Sequence, residues 1–238
     1  MDKDIKKDNL ADLDILRNYF KRWPNFYYFV ATVFGPLMFT GLSPKKFLKT
    51  YQIEGQILNI GSGPKRLGSN VKNVDIHPYK GVDIVADALS VPVLSGSISG
   101  IISDNVLEHI IDPKAAVAEM YRILSPGGYV YICTPFLYPF HNSPNDFQRW
   151  TKEGLKELMK DFEIIKIGLR AGPFSTLDVT LCYLAATIFS FGSKKLYLFL
   201  VNLFMLVFWP IKLFDFIFNY WPNAINMASV LYCVARKK

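Results

Sequence analysis

Cysteine is scarce in this chain of 238 residues: there are three, Cys133, Cys182 and Cys233, far apart from one another. No two of them have zinc-ligand spacing and they make no disulfide framework, so no metal site is expected and the usage fits a reducing compartment. Glycine and proline are few, 15 and 14, and follow no period, which excludes a collagen-like chain. Charge is not blocked into runs of one sign. The 27 Lys+Arg and 20 Asp+Glu leave a formal net charge of +7, yet no basic run interleaved with aromatics marks a nucleic-acid groove. No nucleic-acid partner is expected. Residues 1–8 mix both signs where a secretory signal has a basic stretch and then a short apolar run, so no such signal is expected. There is no internal repeat.

Apolar side chains are abundant instead. They make up 51% of the chain, aromatics 15%, and the mean hydropathy is +0.19. That excludes a disordered chain, and the length suits one domain with an appendage and a core that needs no disulfide. The excess is uneven. Residues 1–22 are polar with helical spacing at Leu10, Leu13 and Leu16, and residues 23–42 are apolar but broken by Pro24 and Pro36. Residues 53–168 alternate short apolar runs with helical patterns, and residues 174–221 are strongly apolar again.

The third zone parses by run length and punctuation. Strands are expected at 56–60, 71–76, 82–85, 100–103, 129–134 and 162–167. A helix is expected at 114–124, stopped by Ser125-Pro126-Gly127-Gly128, and another at 152–160 with Thr151 as its N-cap. The stretch 63–71 is too short and too rich in Gly, Pro and Ser for a crossover helix. Alternating strands and helices imply a mainly parallel sheet, in which a ligand sits beyond the carboxyl ends of the strands. Those ends carry Gly61-Ser62-Gly63, Asp75, Asp87, Asp104-Asn105 and the segment 135–150. The glycines allow a sharp turn and close approach of backbone to ligand. Arg66 stands where a dinucleotide fingerprint has its third glycine. A carboxylate at Asp75 can accept from both hydroxyls of a ribose, and Asp87 with neighbouring N–H groups suits adenine.

Ile57-Leu58-Asn59-Ile60-Gly61-Ser62-Gly63, Asn73-Val74-Asp75-Ile76, Val85-Ala86-Asp87-Ala88-Leu89, Val106-Leu107-Glu108-His109-Ile110 and Tyr121-Arg122-Ile123-Leu124-Ser125-Pro126-Gly127-Gly128 follow one another in that order. In order and spacing they resemble the class I S-adenosylmethionine (SAM)-dependent methyltransferases, over about half of the chain (residues 55 to 168). The resemblance implies an α/β fold with a Rossmann-like seven-stranded sheet, mostly parallel with an antiparallel last strand, and SAM as cofactor. It implies that Gly61, Ser62 and Gly63 meet the methionine part, Asp75 and Ile76 the ribose, and Asp87 and Ala88 the adenine. Asp104 and Asn105 would border the methionine and the reactive methyl. Three positions depart from the family pattern: Asn59 for an acid, Lys65 for a glycine, Ser99 for an acid.

The segment from Pro139 to Thr151 resembles one found in a branch of these methyltransferases, which implies that it lines the acceptor side of the cleft. His141 there is a candidate general base oriented by Asp146, with Arg149 available to an anionic group. The alternative is that His141 caps a turn and Asp146–Arg149 is a local ion pair. His77 and His109 read as structural.

The run 229–236 fits the fold's last strand. The chain then divides into an N-terminal, partly apolar helical extension (1–52), a SAM-binding core (53–172), an apolar helical insertion (173–225) and the last core strand (226–238). The insertion has two runs, 179–191 and 196–211, each short of the roughly 20 residues a crossing helix needs. A re-entrant or interfacial hairpin is the expectation, with Trp209, Tyr220 and Trp221 at the headgroups and nearby lysines on anionic lipid. A buried cap or a dimer interface is the alternative. The expected function is a methyltransferase, peripheral or monotopic at the cytoplasmic face of a membrane, acting on a small-molecule, hydrophobic or lipid-linked acceptor. The rival is a membrane-associated, non-catalytic scaffold that keeps the fold.

Overall fold

A computed structural model describes residues 33–141 and 145–238. The expectations for residues 1–32 lie outside it. Seven strands form one sheet: β1 (Ile57–Ile60), β2 (Val71–Asp75), β3 (Ile84–Val85), β4 (Ile98–Asp104), β5 (Leu124–Pro135), β6 (Glu163–Ala171) and β7 (Val230–Arg236). Their order across the sheet is β3-β2-β1-β4-β5-β7-β6. The first five neighbours pair parallel, and β7 runs antiparallel between β5 and β6. The chain reverses direction across the sheet between β1 and β4, the switch point where open α/β sheets place their ligands.

Side chains alternate across each strand, so two cores form. Ile101, Val130 and Ile132 face one side, under Ala116, Val117, Met120 and Ile123 of α2 (Pro113–Ile123) and Leu155 of α3 (Lys152–Leu158). Ile102, Tyr131 and Cys133 face the other, against Phe47 of α1 (Pro44–Thr50). The helix starts are chemically explicit. Asp112 Oδ1 accepts from the Ala115 N–H at 3.0 Å, ahead of Pro113 at the first helical position, and Thr151 Oγ1 accepts from the Gly154 N–H at 3.0 Å. No helix joins β1 to β2, as the composition of 63–71 requires. Two strand boundaries moved by more than two residues. β5 begins at Leu124, running through the Ser125-Pro126-Gly127-Gly128 turn, and β6 continues to Ala171 because Leu169 and Ala171 still pair with β7.

The insertion forms α4 (Pro173–Phe189) and α5 (Lys194–Phe208), a hairpin joined through Phe191-Gly192, then α6 (Asp215–Phe218) after a 3-10 turn at Ile211–Phe214. Asp215 seats the hairpin on the core. Its carboxylate accepts from the N–H groups of Gly172, Phe174 and Ser175 and from Ser175 Oγ at 2.6 to 3.1 Å, capping the start of α4, whose own N-cap, Gly172, has no side chain to do so. Among the described residues no single helix is long and apolar enough to cross a bilayer; α5 with Ile211–Phe218 meets that length and composition only as a pair bent by 47°.

Candidate active site at the carboxyl edge of the sheet

The loop after β1 is shaped by its two glycines. Gly61 has φ +69°, and a Cβ there would lie 2.4 Å from Val106 Cγ2; Gly63 has φ +54° and open space where a Cβ would project. The first glycine is therefore required by packing against the β4 end, and the second leaves bare backbone facing outward. Main-chain bonds from Gly61 and Ser62 to the Val74 carbonyl (2.8 and 3.1 Å) tie the loop to β2. Asp75 completes the tie: Oδ2 accepts from the Gly63 N–H at 2.8 Å and Oδ1 from the His77 N–H at 2.9 Å. Each carboxylate oxygen keeps a second lone pair for a ligand. Ile76 beside it is exposed.

Asp87 stands beyond β3, with its Oδ1 accepting from the Leu89 N–H at 2.9 Å, which orders Ala88. This segment is anchored from α2. Glu119 accepts from the Val91 N–H at 2.8 Å and pairs with Arg122 Nε at 2.7 Å, while the Arg122 guanidinium donates to the Val91 and Val93 carbonyls and to Ser95 Oγ. This clamp was not foreseen; its only trace in the sequence is an i, i+3 acid–base pair. Asp104 and Asn105 end β4. Asn105 adopts φ +56° and donates from Nδ2 to Asp104 Oδ1 at 3.1 Å. Asn59 is nearly buried and donates to Asn73 Oδ1 at 3.2 Å. In place of an acid, the end of β1 thus carries an amide satisfied from β2.

A cavity of about 290 Å³ opens between this edge and the start of α1. Asn59, Gly61, Ser62, Lys65, Asp104 and Arg170 line it, with Ser43 to Lys45 as its outer wall. Arg170, at the end of β6, was not a sequence candidate. It is brought in by the extra length of β6 and by stacking on Phe39, 4.6 Å from the ring centre. Cation-rich walls beside a small polar floor fit an amino-acid carboxylate. A second hollow, of about 330 Å³ at Tyr121, Lys160 and Asp161, lies where β5 and β6 begin and none of the strand-end residues reaches it.

Of the segment after β5, residues 139–141 and 145–151 are described, and Phe147 packs it on the turn after β4. Phe147 N–H donates to the Glu108 carbonyl at 2.8 Å. Asp146 is almost wholly buried, is gripped by both Arg149 Nη atoms, and accepts from the main-chain N–H of His141 at 2.8 Å. Its oxygen lies 3.5 Å from His141 Nδ1. The sequence alternatives therefore coexist: the ion pair exists, and the imidazole lies against it. The Arg149 hydrogen bonds hold the Asp146 carboxyl down at about 2. Burial, aided by His109 and Arg149, lowers His141 against the opposing pull of Asp146, which keeps the imidazole neutral near pH 7. Glu108 was missed as a site residue. Its side chain is fully buried, burial raises its carboxyl to about 8, and it stands beside both His109 and His141. Its signal was present in Leu107-Glu108-His109, a polar pair inside an otherwise apolar run. His109, read as structural, packs ring to ring on His141 with centroids 5.1 Å apart. His77 packs on Tyr79, away from this cluster.

Residues 58–132 match the family model described as a methyltransferase domain. An uncharacterized chloroplastic methyltransferase of Arabidopsis thaliana is 36% identical over 75 residues, 32% of this chain and 20% of that protein. An uncharacterized transposon-encoded protein of Streptomyces fradiae is 30% identical over 87 residues, 37% of this chain and 25% of that protein. These matches span a quarter or less of each curated relative. A solved SAM-dependent methyltransferase from Thermotoga maritima shares the fold at a TM-score of 0.52 and 17% identity, with 92% of this chain and 98% of that one covered. The sheet order is that of the Rossmann-like methyltransferase fold, and residues 58–132 are similar to a methyltransferase domain, consistent with a class I SAM-dependent methyltransferase. SAM is the cofactor of that class, and the open backbone at Gly63, the spare lone pairs of Asp75 and the cation-walled cavity fit it.

Proposed function

We propose that the protein transfers a methyl group from SAM to a hydrophobic or lipid-linked acceptor at the cytoplasmic face of a membrane. The observation that carries this reading is a juxtaposition: the insertion that leaves the sheet at the end of β6, beside Arg170 and the cavity, is the most apolar surface of the described chain. On α4, Leu177, Leu184 and Ile188 are exposed along one face, and on α5 so are Phe199, Leu203, Leu206 and Val207. Phe191 at the tip of the hairpin is 88% exposed, and Tyr220 and Trp221 stand out beyond α6. Apolar area on this scale, edged by Lys194 and Lys195, matches an interfacial helix pair.

Within this reading Asp75 accepts from the ribose hydroxyls. Asp87 and the Ala88 N–H read the adenine edge, and Gly61, Ser62, Gly63, Asp104 and Asn105 border the methionine portion. Bound SAM supplies a methyl group carried on a sulfonium. His141 Nε2, on a neutral imidazole beside Asp146, takes the proton of an acceptor nucleophile, and the walls of the cleft exclude water.

Two assays on the full chain test this. Flotation with vesicles containing anionic lipid should carry the protein upward, and replacing Phe199 and Leu203 by lysine should leave it at the bottom. Labelled SAM with a membrane lipid extract should give a methylated, organic-extractable product, reduced about a hundredfold in His141→Ala. Flotation without any transfer would leave the scaffold reading. Transfer without flotation would assign the apolar faces to a dimer interface.

A further inference from the structure

We propose that Glu108, His109 and His141 form a binding site for one divalent first-row transition-metal ion, at the acceptor end of the cleft. The Glu108 side chain is 0% exposed, and among the described residues neither of its carboxylate oxygens has a hydrogen-bond partner. An orphaned buried carboxylate is costly, and among the described residues the basic groups within 4.0 Å of its Oε1 are two imidazole nitrogens: His109 Nε2 at 3.8 Å and His141 Nε2 at 3.9 Å. One ligating atom from each residue lies within 4.8 Å of the others. Donor atoms around a bound ion stand about 2.0–2.2 Å from it, so modest side-chain rotation closes the set.

The far side of each ring carries a polar partner. His109 Nδ1 is hydrogen-bonded to the Asn145 carbonyl, which must accept, so His109 carries its proton there and offers the Nε2 lone pair inward. His141 Nδ1 lies 3.5 Å from Asp146 Oδ2 and 3.3 Å from Arg149 Nη2, which can only donate, so a proton on Nδ1 goes with a small turn of the ring from the guanidinium to the carboxylate. When Nε2 binds a cation, the Nδ1 proton points at the Asp146 carboxylate, which Arg149 holds in place. Carbonyl and carboxylate partners on the outer nitrogens are what orients metal-bound histidines. Two imidazoles and one carboxylate favour transition ions over Mg²⁺ or Ca²⁺ and leave coordination positions open. Sequence spacing did not reveal the set because its members come from two loops, after β4 and after β5, and only the sheet brings them together.

The role of the ion rests on the methyltransferase reading. A bound ion would supply Lewis acidity: it would lower the pKa of an acceptor O–H at an open position, the proton would pass to water, and the acceptor oxygen would be freed to attack the methyl group. His141 is then a ligand, and the metal replaces the imidazole base of the metal-free cleft.

Co²⁺ titration of the chelator-stripped full chain decides this, followed by visible absorption and calorimetry, with SAM titrated into the same sample. One Co²⁺ per chain with a ligand-field spectrum is expected, weakened about a hundredfold in Glu108→Gln and in His141→Ala. SAM binding by each variant reports that it is folded, and having two variants guards against one that is not. Absence of stoichiometric Co²⁺ binding by SAM-competent wild type overturns the site and leaves His141 as a base. So does binding that both variants keep. Co²⁺ binding without SAM binding sustains the site and sinks the methyltransferase reading.

Discussion

Asp75 Oδ2 accepts the Gly63 N–H at 2.8 Å, joining the end of β2 to the loop that follows β1. One carboxylate thus shapes the glycine loop and, in the function proposed above, also accepts from the ribose hydroxyls. The two roles separate by measurement. Asp75→Ala removes two charge-assisted bonds to ribose hydroxyls, about 3 kcal/mol together, so calorimetry should show SAM affinity falling about a hundredfold. The melting temperature should fall by only a few degrees, because water reaches the freed Gly63 and His77 N–H groups. Unchanged affinity would place the ribose elsewhere.

The two loop glycines should fail in opposite ways. Gly61→Ala forces a side chain into Val106 at a positive φ, and should cost about 2–3 kcal/mol of stability in denaturant melts. Gly63→Ala meets no protein atom, so it should cost about 1 kcal/mol or less yet weaken SAM binding by tenfold or more, since its methyl group enters ligand space. Equal effects on stability would contradict the assignment of Gly63 to the ligand face.

The strand ends were legible in the sequence because each is a short apolar run closed by a Gly-rich or acidic residue, and that punctuation is local. Asp75, Asp87 and Asp104 therefore fall where the pattern put them. Arg170 and Glu108 were not legible. Arg170 enters the cavity wall only because β6 pairs with β7 as far as Ala171, a register set by residues about 60 positions away. Glu108 acquires its chemistry from burial beneath a segment 30 residues further on, and charge alone in a sequence does not report burial. The hairpin of α4 and α5 was legible as two apolar runs. Its anchor was not, because Asp215 reads as an interruption of an apolar stretch and becomes a helix cap only in three dimensions.

That anchor gives a third prediction. Asp215→Ala strands three main-chain N–H groups and one hydroxyl at the buried start of α4. The expected loss is about 3 kcal/mol, larger than an exposed N-cap because the site is closed to water. Limited proteolysis should then cut first near Phe191-Gly192 while the sheet stays intact. Cleavage first in the β1–β2 region would show that the hairpin does not depend on this carboxylate.

The clamp of Glu119 and Arg122 adds a pH-dependent term. Hydrogen bonding from Arg122, followed by the Val91 N–H, holds the Glu119 carboxyl below its ordinary value of 4.5. A carboxyl lowered in the folded state stabilises it fully above the unfolded value and loses that contribution as pH falls through the folded one. Glu119→Gln should therefore lower stability by about 1 kcal/mol at pH 7, a modest figure because Arg122 is partly exposed. The gap from wild type should close as the pH falls from the ordinary carboxylate range through the lowered folded value of Glu119, below which it is protonated in both states. Other acids titrate in both proteins and cancel in the difference. The same substitution loosens the segment from Asp87 to Ser95, so SAM affinity at pH 7 should drop with stability, by roughly threefold to tenfold. A gap that stays constant with pH would assign the effect to packing of α2 and not to the charge on Glu119.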